Sequence, residues 1–314
     1  WMQRSFARSC VMTSQIINRH SGIARVPNVT IIKRKTVFEI IALCVFSYVA
    51  LLLALVVFQR SAMYFPDRAV PELPPGASLV HIDTDDGLSI PAWYKAPTAE
   101  GAPVIIWFHG NAGNLSYFWA KAVQMTRNGA GVLMPEYRGY GGTPGKPTEA
   151  NLVADAISAY NYLNGKGYAG SDVIVYGLSL GSGIAVQLAE YAAQEQGTPV
   201  NRVILEAPYS STLDVARWRF PVFPVSLFML DRYDSVSRIT AIKAPLLIVH
   251  GVLDGVIPQR FGSKLFDAAA EPKQFMSIEQ GGHNDLFAFP DVLPGMLAFM
   301  DEGISRKTAA EAAE

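Results

Sequence analysis

Residues 173–186 read Val-Ile-Val-Tyr-Gly-Leu-Ser-Leu-Gly-Ser-Gly-Ile-Ala-Val. The first four form a short β-branched and aromatic run of the kind that fills a buried strand, and the stretch from 180 to 196 reads as a helix. Between them stands Gly177-Leu178-Ser179-Leu180-Gly181, a G-x-S-x-G sequence at a strand-to-helix turn. That context matters because the serine of such an elbow has a strained backbone, and the helix after it packs close, so glycine is needed on both sides. Ser179 is therefore the candidate nucleophile.

Working outward, the same alternation continues on both sides. Apolar runs at 104–108, 132–136, 203–206, 246–249 and 275–278 fit strands of a buried, mostly parallel sheet, and residues 115–127, 148–164 and 293–300 read as helices. Residues 79–83 and 88–94 flank Thr84-Asp85-Asp86-Gly87 as an opening antiparallel hairpin, since Asp-Gly supplies the positive φ of a tight turn. Eight strands result, and the fold class is α/β. Residues 208–244 make too long a connection for this pattern. They are expected to form a cap over the carboxyl edge of the sheet, where open α/β sheets bind ligands. Its aromatic residues Trp218, Phe220 and Phe223 are candidates for lining an acyl pocket, although packing onto the sheet explains them equally well.

A serine hydroxyl is a weak nucleophile at neutral pH and needs a base within hydrogen-bond reach. Of the five histidines, His20 precedes the fold and His81 lies in the hairpin, while His109 and His250 close strands and read as structural. His283, in Gly281-Gly282-His283-Asn284 just past the last strand, is the candidate base, its two glycines letting the backbone turn toward the site. Asp254 follows a strand end and completes the chain order Ser, Asp, His. It is the candidate acid that fixes the tautomer of the base, ahead of Asp285 and Glu206. Two N–H donors must meet the developing oxyanion. The backbone amides of Leu180 and Asn111 are the candidates, the second in the loop His109-Gly-Asn-Ala-Gly-Asn114. The glycine-rich stretch 138–145 fits no phosphate-binding fingerprint and reads as a turn. No cluster with metal-ligand spacing occurs, so no cofactor or metal is expected.

Residues 37–58 form 22 nearly continuous apolar residues whose one charge is Glu39. As a helix they would span about 33 Å, enough for a bilayer core of roughly 30 Å. The run exceeds the core of a cleaved signal peptide, about 7 to 15 residues. Arg19, Arg25, Lys33, Arg34 and Lys35 precede it, with Arg60 and Arg68 after it. That bias places the amino terminus in the cytoplasm and the rest in a periplasm or lumen. Residues 1–36 are expected to be a flexible tail, and 303–314 another. Asn114-Leu-Ser116 is a glycosylation sequon beside the candidate site, which favours a bacterial periplasm. With 26 Lys and Arg against 27 Asp and Glu, a formal net charge of -1 excludes a nucleic-acid partner. The two cysteines, Cys10 and Cys44, both fall in the amino-terminal segment, which excludes a disulfide or a cysteine nucleophile in the remainder.

Taken together, His109–Asn114, Tyr137-Arg-Gly-Tyr-Gly-Gly142, Gly177-Leu-Ser-Leu-Gly181, His250-Gly-Val-Leu-Asp254 and Gly281-Gly-His283 resemble the α/β-hydrolase superfamily over residues 60–302. Within it the chain is similar to the membrane-anchored group that includes the fission-yeast bud-emergence suppressor and animal α/β-hydrolase-domain proteins. The departures are Glu136, where relatives usually carry Asp, and Thr143 in place of a common Ser. The resemblance implies an eight-stranded sheet with helices on both faces, a short cap and a serine hydrolase acting on acyl esters or thioesters. Acyl transfer, amide or peptide cleavage and a non-catalytic binding role are the alternatives on the same fold.

Overall fold

The computed structural model describes residues 33–311. Its first element is helix α1 (Arg34–Met63), longer than the apolar run because the flanking Arg, Lys, Gln, Ser and Ala residues all tolerate helix. The expected tail at 1–32 lies outside the described residues. Residues 34–36, assigned to that tail, are the first turn of α1 instead.

The sheet follows: β1 (Ser78–Asp83), β2 (Ser89–Lys95), β3 (Val104–Phe108), β4 (Gly131–Pro135), β5 (Val173–Leu178), β6 (Arg202–Glu206), β7 (Leu246–Gly251) and β8 (Lys273–Ile278). Its spatial order is β1-β2-β4-β3-β5-β6-β7-β8, with β1, β2 and β4 paired antiparallel and every later pair parallel. Parallel neighbours require crossovers, and these are supplied by α2 (Leu115–Gln124), α3 (Glu149–Gly165), α4 (Leu180–Gln194) and α8 (Gln259–Ala268). The cap occupies the β6 to β7 connection with three short helices, α5 (Thr212–Arg219), α6 (Val225–Phe228) and α7 (Ser235–Arg238). Helix α8 has no counterpart in the sequence reading. It is short and carries Gly262 inside, which weakens its helical signal.

Both faces of the central strands are covered, so alternate side chains feed two cores. Val104, Ile106 and Phe108 face one with Val173 and Val175, while Ile105 and Trp107 face the other with Ile174 and Tyr176. Burying each aliphatic side chain contributes about 1.5–3 kcal/mol, which is why these runs read as unbroken hydrophobic stretches. Helix α9 (Val292–Glu311) closes the second core through Val292, Met296, Phe299 and Met300. It continues through residues 303–311, the stretch expected as a flexible tail. Glu, Arg, Lys and Ala in that stretch favour helix and outweigh the single Gly303.

Candidate active site

The chain reverses sharply at Ser179, between β5 and α4, and its backbone sits at φ 50 and ψ -111. Positive φ at a non-glycine residue is costly and persists only where the surroundings impose it. Here Ser179 N–H donates to Glu206 O at 2.9 Å, and Ser182 Oγ donates to Ser179 O at 2.6 Å. The flanking glycines serve close approach: a Cβ on Gly181 would lie 2.2 Å from Phe108 O, and one on Gly177 2.5 Å from Gly181 O.

Asp254 leaves the end of β7 and is buried. Its Oδ1 accepts the N–H groups of Val256 and Ile257, both at 2.8 Å. Oδ2 meets His283 Nδ1 at 2.7 Å and His250 Nε2 at 3.3 Å. Burial by itself would raise this carboxyl, but the hydrogen bonds from His250, His283 and the Ile257 amide outweigh it and hold Asp254 below the ordinary carboxylate range. An ionised carboxylate only accepts, so His283 Nδ1 carries the proton and its Nε2 is left as an acceptor. That Nε2 lies 2.9 Å from Ser179 Oγ. Three residues from three strand ends thus form one hydrogen-bonded line.

Neither of the two glycines before His283 has a positive φ. Gly281 is required by packing, since a Cβ there would lie 2.6 Å from Leu286 Cδ2. Asp285 steadies the turn by accepting Gly282 N–H at 2.7 Å. Glu206 is occupied elsewhere, by Lys121 Nζ and by a short hydrogen bond from Tyr176 Oη.

His109 is fully buried, with Nε2 3.1 Å from Glu136 Oε1 and Nδ1 2.8 Å from Gly110 O. The other Glu136 oxygen accepts Leu115 N–H at the start of α2, so this carboxylate fixes both the ring and the helix end. Two tyrosines of the 138–145 region and its preceding residue then support the loop from below. Tyr137 Oη donates to His109 O at 2.8 Å, and Tyr140 Oη to Asn111 Oδ1 at 2.8 Å. This stretch read from sequence as a turn, and nothing in its spacing announced that it props the loop. The Asn111 side chain also accepts Phe65 N–H and donates to Met63 O, tying the loop to the end of α1. Its backbone amide and that of Leu180 donate to no protein acceptor among the described residues.

A cavity of ≈ 360 Å³ opens at Ser179, with Asn111 and Leu180 at its polar end. Phe220 and Phe223 line it, but Trp218 does not: its ring turns away and packs edge-on against Phe261 at 6.3 Å. Sequence reasoning also missed Leu52, Leu55, Val56 and Met63 of α1, which form the wall facing the cap. The sequon asparagine is buried. Asn114 caps α2 by accepting Ser116 N–H, and its amide nitrogen donates to Asp67 Oδ2 and Ala69 O. It is thus committed to the fold and offers no glycan acceptor once folded.

The eight-stranded topology with a serine elbow after β5 defines the class, and similarity to known proteins agrees with it. The family model of the alpha/beta hydrolase fold matches residues 103–224. An uncharacterized protein of Mycobacterium tuberculosis is 36% identical over 244 residues, covering 76% of this chain and 83% of that protein. The alpha/beta hydrolase domain-containing protein 17B of Homo sapiens is 30% identical over 221 residues, covering 70% and 73%. Among solved structures, the acetyl xylan esterase from Paenibacillus sp. R4 superposes with a TM-score of 0.58 at 20% identity, over 74% of this chain and 89% of that one. The chain belongs to the α/β-hydrolase superfamily.

Proposed function

We propose that this protein is a membrane-anchored serine hydrolase that cleaves carboxylic esters or thioesters through an acyl-enzyme. The line from Asp254 through His283 to Ser179 Oγ, with separations of 2.7 and 2.9 Å, carries the proposal. Ser179 Oγ attacks the acyl carbon as His283 Nε2 takes the hydroxyl proton. The substrate oxygen gains negative charge and is met by the amides of Asn111 and Leu180, the latter at the positive end of α4. His283 then delivers its proton to the leaving alcohol or thiol as the tetrahedral intermediate collapses. Water, deprotonated by the same nitrogen, releases the acid and restores Ser179. Asp254 keeps Nδ1 protonated and stabilises the imidazolium at each stage. All groups needed for this cycle come from the chain, and no cofactor enters it.

Anchoring is supported by α1, whose 30 residues have a mean hydropathy of 3.0 in their most apolar window, and by its basic amino-terminal flank. The end of α1 also hydrogen-bonds to the catalytic domain, which argues against its removal as a signal peptide. The domain limits proposed are a cytoplasmic segment to residue 36, the span at 37–58 and a catalytic domain from 60 to 302 facing a periplasm or lumen. Alkaline phosphatase fused after Met63 is active if that orientation holds and inactive if the domain faces the cytoplasm. For the chemistry, the full chain should react with a fluorophosphonate probe and Ser179→Ala should not. Folded wild-type protein that stays unlabelled contradicts the assignment.

A further inference from the structure

The apolar wall of the cavity is made by the helix that is apolar enough to cross a bilayer. Leu52, Leu55, Val56, Gln59 and Met63 recur at helical spacing on one face of α1, are half-buried and line the cavity, whereas Leu51, Leu53, Val57 and Phe58 are exposed. From Leu52 to Met63 this face runs about 16 Å, far more than an acetyl group needs. The far side is closed by Phe220, Phe223 and Phe228 of the cap.

The cap is tied to the carboxyl end of the same helix. Gln59, directly after the apolar run, donates to Phe228 O at 3.2 Å and accepts Leu230 N–H at 2.9 Å. Arg60 makes a two-pronged pair with Asp231 at 2.9 and 3.1 Å, and Tyr64 Oη hydrogen-bonds with both Asp231 and Tyr233. The cap is therefore latched to α1 one turn beyond the run. Around this latch and the mouth, Leu227, Leu230 and Val256 are 73%, 61% and 55% exposed. A water-facing rim has no use for such residues, but a rim resting on lipid does.

Building on the serine hydrolase reading, we propose that the cavity opens into the bilayer. The acyl chain of a membrane-resident ester or thioester slides laterally between α1 and the cap to reach Ser179, and Leu52, Leu55 and Val56 set the chain length accepted. The membrane helix is thus part of the specificity pocket as well as an anchor.

The test uses the full chain in phosphatidylcholine vesicles and a hexadecyl fluorophosphonate with a diazirine at the chain terminus. Ser179 Oγ displaces fluoride from phosphorus, fixing one end of the chain, and photolysis reports where the other end lies. Crosslinks to the peptide holding residues 52–56 are expected. Labelling at Ser179 with crosslinks only to lipid or to other parts of the chain overturns the lateral pocket while leaving the hydrolase reading intact. Absence of labelling removes the hydrolase reading, and this inference with it. In parallel, Leu55→Trp should lower kcat/KM for a palmitoyl ester about tenfold relative to an acetyl ester, by excluding a few methylenes from burial. Leu53→Trp on the outward face should leave that ratio unchanged. A ratio that Leu55→Trp leaves alone, or that Leu53→Trp shifts as strongly, contradicts the proposal.

Discussion

The two ends of the Ser179 cavity are held together by different physics. At the polar end, Ser179, Asp254 and His283 stand on loops leaving β5, β7 and β8, and every one of them is fixed by hydrogen bonds to neighbouring backbone or side chains. At the apolar end, Leu52, Leu55 and Val56 line the cavity opposite Phe220 and Phe223, and the cap is joined to α1 by the latch at Gln59, Arg60 and Tyr64. A hydrogen-bonded line tolerates almost no displacement, because catalysis needs the reacting groups within hydrogen-bond reach. An apolar wall tolerates exchange of one side chain for another of similar volume. Changes at the first end should therefore alter how fast any substrate reacts, and changes at the second should alter which substrate is preferred.

The largest effect expected is that of Ser179→Ala or His283→Ala. Either should reduce ester hydrolysis by about 10⁴- to 10⁶-fold for every acyl length alike. A loss that varies with chain length would blur the division between the ends. Asp254→Asn comes next, with a drop of about 10⁴-fold, since the amide favours the wrong tautomer of His283. This variant also has a pH signature. Because the carboxyl is depressed in the fold, its stabilisation is fully present above the unfolded carboxylate value of about 4, and is lost as pH falls through the lower folded value. Acid unfolding followed by circular dichroism should therefore show a shallower fall in stability below pH of about 4 in Asp254→Asn than in wild type.

Smaller effects probe the supports. Arg60→Ala leaves the buried Asp231 carboxylate without its charged donor and should lower stability by about 1–3 kcal/mol, seen as a drop of several degrees in Tm. An unchanged Tm would mean that the latch does not hold the cap. Tyr140→Phe removes one hydrogen bond to Asn111 and should lower kcat severalfold for acetyl and palmitoyl esters equally, a loss of about 1 kcal/mol. If only the long-chain ester suffers, the Asn111 loop belongs to the apolar end instead.

The polar end was legible in the sequence and the apolar end was not, for a physical reason. Strained turns and strand ends demand particular residues at fixed spacing, so Gly177-Leu-Ser-Leu-Gly181 and Gly281-Gly-His283 are visible before any coordinates. Even there the reason for Gly281 had to come from the structure, where the space beside Leu286 rather than a positive φ excludes a side chain. The parallel sheet was visible because buried strands are continuous apolar runs. Helix α8 was not, with only Phe261, Gly262 and Leu265 fully buried. The face of α1 that meets the cap could not be read at all, since every residue from 51 to 58 is apolar and nothing in the composition separates an outward-facing Leu53 from a cavity-facing Leu52. Trp218 failed for the same reason, as an aromatic in a cap packs equally well inward or sideways. Contacts to Asp254 from His250 likewise depend on how the loop after β7 folds back.

The most direct measurement is to quench the full chain in acid during its first turnovers of a p-nitrophenyl ester and map the acyl adduct by mass spectrometry. One acyl group on the peptide holding Ser179 is predicted, absent in Ser179→Ala together with turnover. An adduct on another residue, or turnover that survives in Ser179→Ala, would contradict it.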